Sequence, residues 1–178
     1  FLRRPSNWQY CPIVPTYKRR TAMTLARTLS LREGNQELYV HQSIASNLPI
    51  DSIYNIAATE KLTSPNTYAW SLNMDPLWSI TYTSPAGDTL RLTTTTDSLY
   101  LDRSKCGQVD FHPSFGRLMS APRIGNGNNV EIIMDVMSIE ILAQDGLSVM
   151  TATYFTEAPF DQMTIEGLQH GEMAHVQP

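Results

Sequence analysis

Apolar and polar positions alternate along most of this chain. Leu25, Arg27, Leu29 and Leu31 share one parity, and Leu38 and Val40 repeat it after Glu33-Gly34-Asn35. Two alternating runs across such a turn predict a hairpin. Trp70, Leu72 and Met74 alternate, as do Trp78, Ile80 and Tyr82, before the turn signal Ser84-Pro85-Ala86-Gly87-Asp88. Leu90 and Leu92 follow, flanked by Thr93 to Thr96, which favour strands. Leu99 and Leu101 then oppose Tyr100 and Asp102. Val130, Ile132, Met134 and Val136 share a face opposite Glu131 and Asp135, and Ile139 and Ile141 oppose Glu140. Gln144-Asp145-Gly146 is a tight turn, because Asp and Gly tolerate positive φ. Leu147, Val149 and Thr151 alternate after it.

No ten-residue stretch carries helical periodicity, and the spacing predicts about eight to ten short strands. A strand set with one apolar face needs a second layer over it. The expected fold is therefore all-β, a two-sheet antiparallel β-sandwich. Pro5, Pro12 and Pro15 make residues 1–20 an extended connecting segment, with a short strand at Trp8–Tyr10. Residues 46–62 read as strand or short helical turn. Residues 168–178 are polar, contain Gly171, His175 and Pro178, and read as a surface tail. The expected organisation is thus 1–20 as linker, 21–167 as sandwich and 168–178 as tail.

Composition narrows the function. The chain has 178 residues, 42% of them apolar and 17% charged, enough for a packed core of one domain. Its net charge of −4 supplies no basic face for nucleic acid, and Lys18-Arg19-Arg20 reads as a solvated loop. No apolar run approaches the length of a membrane span or a signal peptide. The opening Phe1-Leu2-Arg3-Arg4 lacks an initiator Met, as a processed or truncated product would. Cys11 and Cys106 have no metal-like spacing; a long-range disulfide and two buried thiols both stay open.

Little of the sequence looks catalytic. Glycoside hydrolysis needs two carboxyls across a cleft. Asp97, Asp102, Asp110, Asp135 and Glu140 qualify by type, yet each lies in an alternating strand or beside a turn and reads as solvent-facing. The histidines are His41, His112, His170 and His175; the last two share the tail with no Asp or Cys to complete a metal site. Neither a metal nor a cofactor is expected. Gly125-Asn126-Gly127-Asn128-Asn129 links two strands, opens no helix and reads as a loop. Trp70 and Trp78 read as core; Trp8, in Ser6-Asn7-Trp8-Gln9-Tyr10, has no alternation demanding that role.

The run Asn7-Trp8-Gln9-Tyr10, then Val14-Pro15-Thr16, then Arg20-Thr21-Ala22-Met23-Thr24-Leu25 resembles the propeller-to-sandwich junction of glycoside hydrolase family 32. Leu101-Asp102-Arg103-Ser104 with Gly107, Val109 and Phe111 resembles its sandwich signature, as do Asp135 to Leu142, Asp145-Gly146 and Met150-Thr151. The similarity runs in order from about residue 6 to 167. Departures are Ala26-Arg27-Thr28 where Pro-Arg-Glu is usual, Val136 where Arg follows the aspartate, and Cys106 where a small polar residue is usual.

The resemblance implies invertase, inulinase, levanase or fructosyltransferase chemistry, carried by a five-bladed β-propeller whose catalytic carboxylate motifs this chain lacks. Met74-Asp75-Pro76 lies downstream of the junction, without the surrounding Trp and Asn of the nucleophile motif, and is rejected. By the resemblance, residues 1–20 are the end of the propeller and its linker. The chain is the non-catalytic C-terminal portion, covering and stabilising the propeller, with a homodimer interface among its expected roles. The catalytic propeller and a sucrose or fructan substrate are the implied partners, and secretion the implied location. Trp8 is the implied substrate-contacting residue, and Asn7 orients it. Two rivals are a free lectin-like carbohydrate-binding sandwich and a purely structural module.

Overall fold

The structure, a computed structural model, describes residues 13–15, 23–34, 37–45, 47–63 and 66–177. No α-helix occurs among the described residues. Strands β1 (Arg27–Gly34) and β2 (Glu37–Ile44) pair only with each other, as the predicted hairpin; it is antiparallel, with Leu31 opposite Val40. The other ten are β3 (Ile50–Asn55), β4 (Thr59–Lys61), β5 (Tyr68–Thr83), β6 (Thr89–Thr94), β7 (Ser98–Lys105), β8 (Met119–Pro122), β9 (Asn129–Asp135), β10 (Ser138–Ala143), β11 (Ser148–Thr153) and β12 (Gln162–Val176).

Two long strands organise the sandwich. The first half of β5 pairs β9, and its second half pairs β6. β12 runs antiparallel along both halves, with register shifts between Glu166 and His170. One layer is therefore β11-β10-β9-β5-β12-β3 and the other β8-β7-β6-β5-β12-β4. Strands that change sheet do so through bends and bulges. Here Asp75-Pro76-Leu77 interrupts β5 opposite Gly167, whose φ of +78° and Cβ position 2.8 Å from Leu77 O admit only glycine.

The inward residues of both layers form one core. Trp70, Leu72 and Met74 meet Ile80, Tyr82, Leu92, Leu101, Ile132, Ile141 and Met163 in it. The tilted Trp70 and Tyr82 rings lie 5.6 Å apart, within the range of favourable aromatic pairs. Trp70 and Trp78 are buried as expected, and the ambiguous 46–62 segment contains strands β3 and β4.

Three expectations fail. The polar segment from 168 is no tail: it is the second half of β12, with Gly171, Met173 and Ala174 buried between β5 and β3. Pairing on both sides satisfies its backbone, so its polar residues need only occupy the outward face. Val136 leaves the core face because β9 ends at Asp135, and it is exposed in the following turn. Glu140 is not solvent-facing but fully buried.

A satellite core lies beside the sandwich, where Val14 packs with Phe115 and Phe155 against Val109, Phe111 and Met137. Arg103 holds it together. Its Nε donates to Phe115 O at 2.8 Å, its Nη1 donates to Thr153 O at 2.7 Å, and its guanidinium lies 3.8 Å from the Phe115 ring centroid. The stretch singled out in the sequence as a signature, Arg103 to Phe111, thus carries packing. Cys106 beside it is a free buried thiol, its pKa pushed up by desolvation; Cys11, the other half of the disulfide left open in the sequence, lies outside the described residues.

Candidate functional site

The junction between the hairpin and the sandwich is built around a buried ion pair. Glu140 projects from the outer side of β10, where alternation alone would leave it in water. The segment entering β1 covers it. Glu140 Oε1 accepts from Leu25 N at 3.0 Å, and Glu140 Oε2 accepts from Arg27 Nη2 at 2.6 Å. The same Nη2 donates to Thr151 Oγ1 at 2.9 Å, and Arg27 Nη1 donates to Gln42 Oε1 at 2.8 Å. The ion-paired side chains are 6% and 0% exposed. Such a desolvated pair persists because hydrogen bonds engage the charged atoms, and it fixes geometry more than it adds stability.

A second contact fixes the other strand. Gln42 N donates to Gly146 O at 2.9 Å, joining the edge of β2 to the β10–β11 turn. Gln144, Asp145 and Gly146 all have positive φ there, as the sequence predicted for Asp145-Gly146. A Cβ on Gly146 would lie 2.0 Å from Gln42 O. Gly146→Ala should therefore loosen the junction by about 2 kcal/mol, from the φ of +82° and the backbone clash together. Limited proteolysis between β2 and β3 measures this, with faster cleavage expected in the variant.

One face of the hairpin is left uncovered. Leu29, Leu31, Leu38 and Val40 are 61%, 67%, 69% and 50% exposed. Leu31 and Val40 are direct cross-strand neighbours, and Leu29 and Leu38 flank them on the same side. Isolated exposed apolar residues are ordinary, but a contiguous set on a two-stranded ribbon marks an interaction surface.

The carboxylates considered for catalysis do not converge. Asp97 and Asp110 are exposed, Asp102 caps Ser104 N at 2.8 Å and Asp135 caps Val136 N at 2.8 Å. Glu140 is committed to Arg27. His170 and His175 occupy positions of opposite parity on β12, and His175 packs edge-on to Tyr68 with ring centroids 5.0 Å apart. No group of three His, Cys, Asp or Glu side chains with metal-binding geometry occurs among the described residues. Trp8 and Asn7 lie outside the described residues. The Arg27–Glu140 junction went unrecognised in the sequence. Its one local signal was Arg27 interrupting the apolar parity of Leu25, Leu29 and Leu31.

Comparison with known proteins places this architecture. The chain is 27% identical over 173 residues to an extracellular exo-inulinase of Aspergillus ficuum, covering 84% of this chain and 32% of that protein. It is 24% identical over 181 residues to a levanase of Bacillus sp. (strain L7), covering 85% of this chain and 19% of that protein. The chain thus spans about a third or less of the length of these curated relatives. The exo-inulinase from Aspergillus awamori shares the fold with a TM-score of 0.78 at 18% identity, over 96% of this chain and 39% of that one. The fructofuranosidase from Schwanniomyces occidentalis in complex with fructose does so with a TM-score of 0.70 at 18% identity, over 98% and 44%. The expected all-β sandwich agrees with these neighbours. The family model for the C-terminal part of glycosyl hydrolases family 32 matches residues 53–176, a span that begins in β3 and excludes the hairpin. By the extent of that match the chain belongs to glycosyl hydrolase family 32, and residues 53–176 are its C-terminal domain.

Proposed function

We propose that this chain is the non-catalytic C-terminal portion of a secreted β-fructofuranosidase-like enzyme acting on sucrose or fructans. Its task is to hold and stabilise a catalytic β-propeller that precedes it. The observation carrying this reading is the uncovered apolar face of the hairpin, Leu29, Leu31, Leu38 and Val40. The hairpin stands outside the sheet of the sandwich, lies before the matched C-terminal domain and is clamped to it by Arg27 and Glu140. It has the form of a piece of the preceding domain fastened to the sandwich. The domain boundary then falls between β2 and β3, not at residue 21. The scattered carboxylates agree with chemistry located elsewhere, since the two-carboxylate mechanism needs a facing pair.

Residues 1–20 belong, on this proposal, to the end of the propeller. Trp8 forms part of the wall of a fructose pocket and Asn7 orients it. Trp8→Ala in the full-length enzyme should lower kcat/KM for sucrose by about tenfold or more, the scale of a lost aromatic contact of 1.5 kcal/mol, with the melting temperature nearly unchanged. Steady-state kinetics with thermal melts checks it. Equal activity in variant and wild type would remove Trp8 from the pocket.

A further inference from the structure

The Gly/Asn-rich loop between β8 and β9 takes no part in the proposed function, and it is pinned on both sides. Ile124 N donates to Gln144 Oε1 at 2.7 Å, and Gln144 Nε2 donates to Gly125 O at 2.8 Å. On the far side Met74 N donates to Asn128 O at 3.0 Å. Asn126 and Gly127 form the tip between these anchors. Asn126 is exposed, its carboxamide makes no hydrogen bond, and Gly127 N donates none, among the described residues. Asp145 lies against the tip. A Cβ on Gly127 would stand 2.3 Å from Asp145 Oδ2, and Asn129 Nδ2 donates to Asp145 Oδ1 at 2.7 Å. The Gly127 backbone thus packs on a held carboxylate of the β10–β11 turn. The next residue in that turn is Gly146, whose carbonyl accepts from Gln42 N.

We propose that Asn126-Gly127 is a site of spontaneous deamidation, and that its iso-aspartyl product loosens the turn that holds the hairpin. Gly127 N, releasing its proton, attacks Asn126 Cγ. The new C–N bond closes a succinimide ring, the Cγ–Nδ2 bond breaks, and ammonia carries off the amide nitrogen with that proton. Solvent water then opens the ring at either carbonyl. One opening leaves aspartate; the other leaves iso-aspartate, in which the main chain runs through the former side chain. Nothing is oxidised or reduced. The attack needs a free N–H, a carboxamide free to turn and an unhindered approach, and this tip has all of them. Glycine adds no Cβ to the approach and leaves the backbone the widest choice of φ and ψ. Every other described asparagine precedes a residue with a Cβ. Ile56 N, after Asn55, also donates to Gly171 O, and Met74 N, after Asn73, donates to Asn128 O. Asn66 is buried and donates to Phe160 O. Iso-aspartate lengthens the main chain by one methylene and adds a negative charge. The close packing of Gly127 on Asp145 leaves no room for that length, and the Asp145 charge repels the new carboxylate.

Peptide mass spectrometry on the protein aged in mildly alkaline buffer tests the site, and hydrogen exchange tests its consequence. Asn126→Gln is the control, an exposed substitution that keeps a carboxamide but needs a larger, slower-closing ring. Conversion of amide to acid should accumulate at Asn126 about tenfold faster, or more, than at Asn55, Asn66 or Asn73, since of these only Asn126 precedes glycine. Asn126→Gln should show none at that position. In the iso-aspartyl fraction, isolated by chromatography, exchange at Gln42 should quicken by about three- to tenfold, the scale of one weakened hydrogen bond. Aged Asn126→Gln should exchange like fresh protein. No conversion at Asn126, or conversion at Asn55, Asn66 or Asn73 at an equal rate, overturns the site. Exchange at Gln42 that is equal in converted and fresh protein, or equally quickened in aged Asn126→Gln, overturns the loosening of the turn.

Discussion

Glu140→Ala should weaken attachment of the hairpin to the sandwich by about 3–5 kcal/mol, the cost of stranding one member of a buried ion pair. The variant leaves the Arg27 guanidinium and the Leu25 N–H without the carboxylate that received both, in a site where Arg27 is 6% exposed. The chain has an escape: the hairpin can lift away and return Arg27 to water. The loss therefore appears first as local opening, capped by the docking free energy of the hairpin, and not as unfolding of the ten-stranded core. Hydrogen exchange at Gln42, whose amide bonds Gly146 O, reports that opening and should quicken by two to three powers of ten. Arg27→Met with Glu140→Met provides the check, because an apolar pair of similar volume is expected to be neutral or stabilising. If the single and double variants exchange alike, the ion pair does not hold the hairpin.

Leu31→Asp with Val40→Asp should have little effect on the isolated chain and a large destabilising effect on the full-length protein. In the chain alone these positions are 67% and 50% exposed, and surface substitutions of this kind stay within about 0.5 kcal/mol each. On the proposed function a preceding domain covers the same residues, and losing that burial removes about 1.5–3 kcal/mol each before the cost of enclosing two carboxylates. The full-length variant should lose about 5 kcal/mol or more, enough to unfold a protein of ordinary stability. Denaturant midpoints of the two lengths, with and without the substitutions, measure the difference. Equal small effects at both lengths would mean that nothing covers this face.

The strands were legible in the sequence because sheet burial has a period of two, and Trp70–Met74, Leu90–Leu92 and Val130–Met134 display it locally. What covers a sheet face has no local signature. Glu140 alternates with Ile139 and Ile141 like any outward carboxylate, and only its bond to Arg27, 113 residues away, shows it enclosed. The C-terminal half of β12 was missed for a related reason. Gly171 and Met173 carry the inward pattern there, too few apolar positions to outweigh Gln169, His170 and Glu172. Nor did the runs 70–74 and 78–82 announce that one strand contains both, since Asp75-Pro76 reads as a break and acts as a bend. Family resemblance supplied what periodicity lacks, namely the expectation, carried into the proposed function, that the chemistry belongs to another part of the protein.

The central claim is that this chain supports catalysis done elsewhere. Intact mass and denaturing electrophoresis on an active preparation, followed by a sucrose and inulin assay of each separated species, test it most directly. The account predicts that activity travels with a species containing a preceding domain and that the 20.0 kDa chain alone releases no fructose. A lone 20.0 kDa species that cleaves sucrose would contradict it.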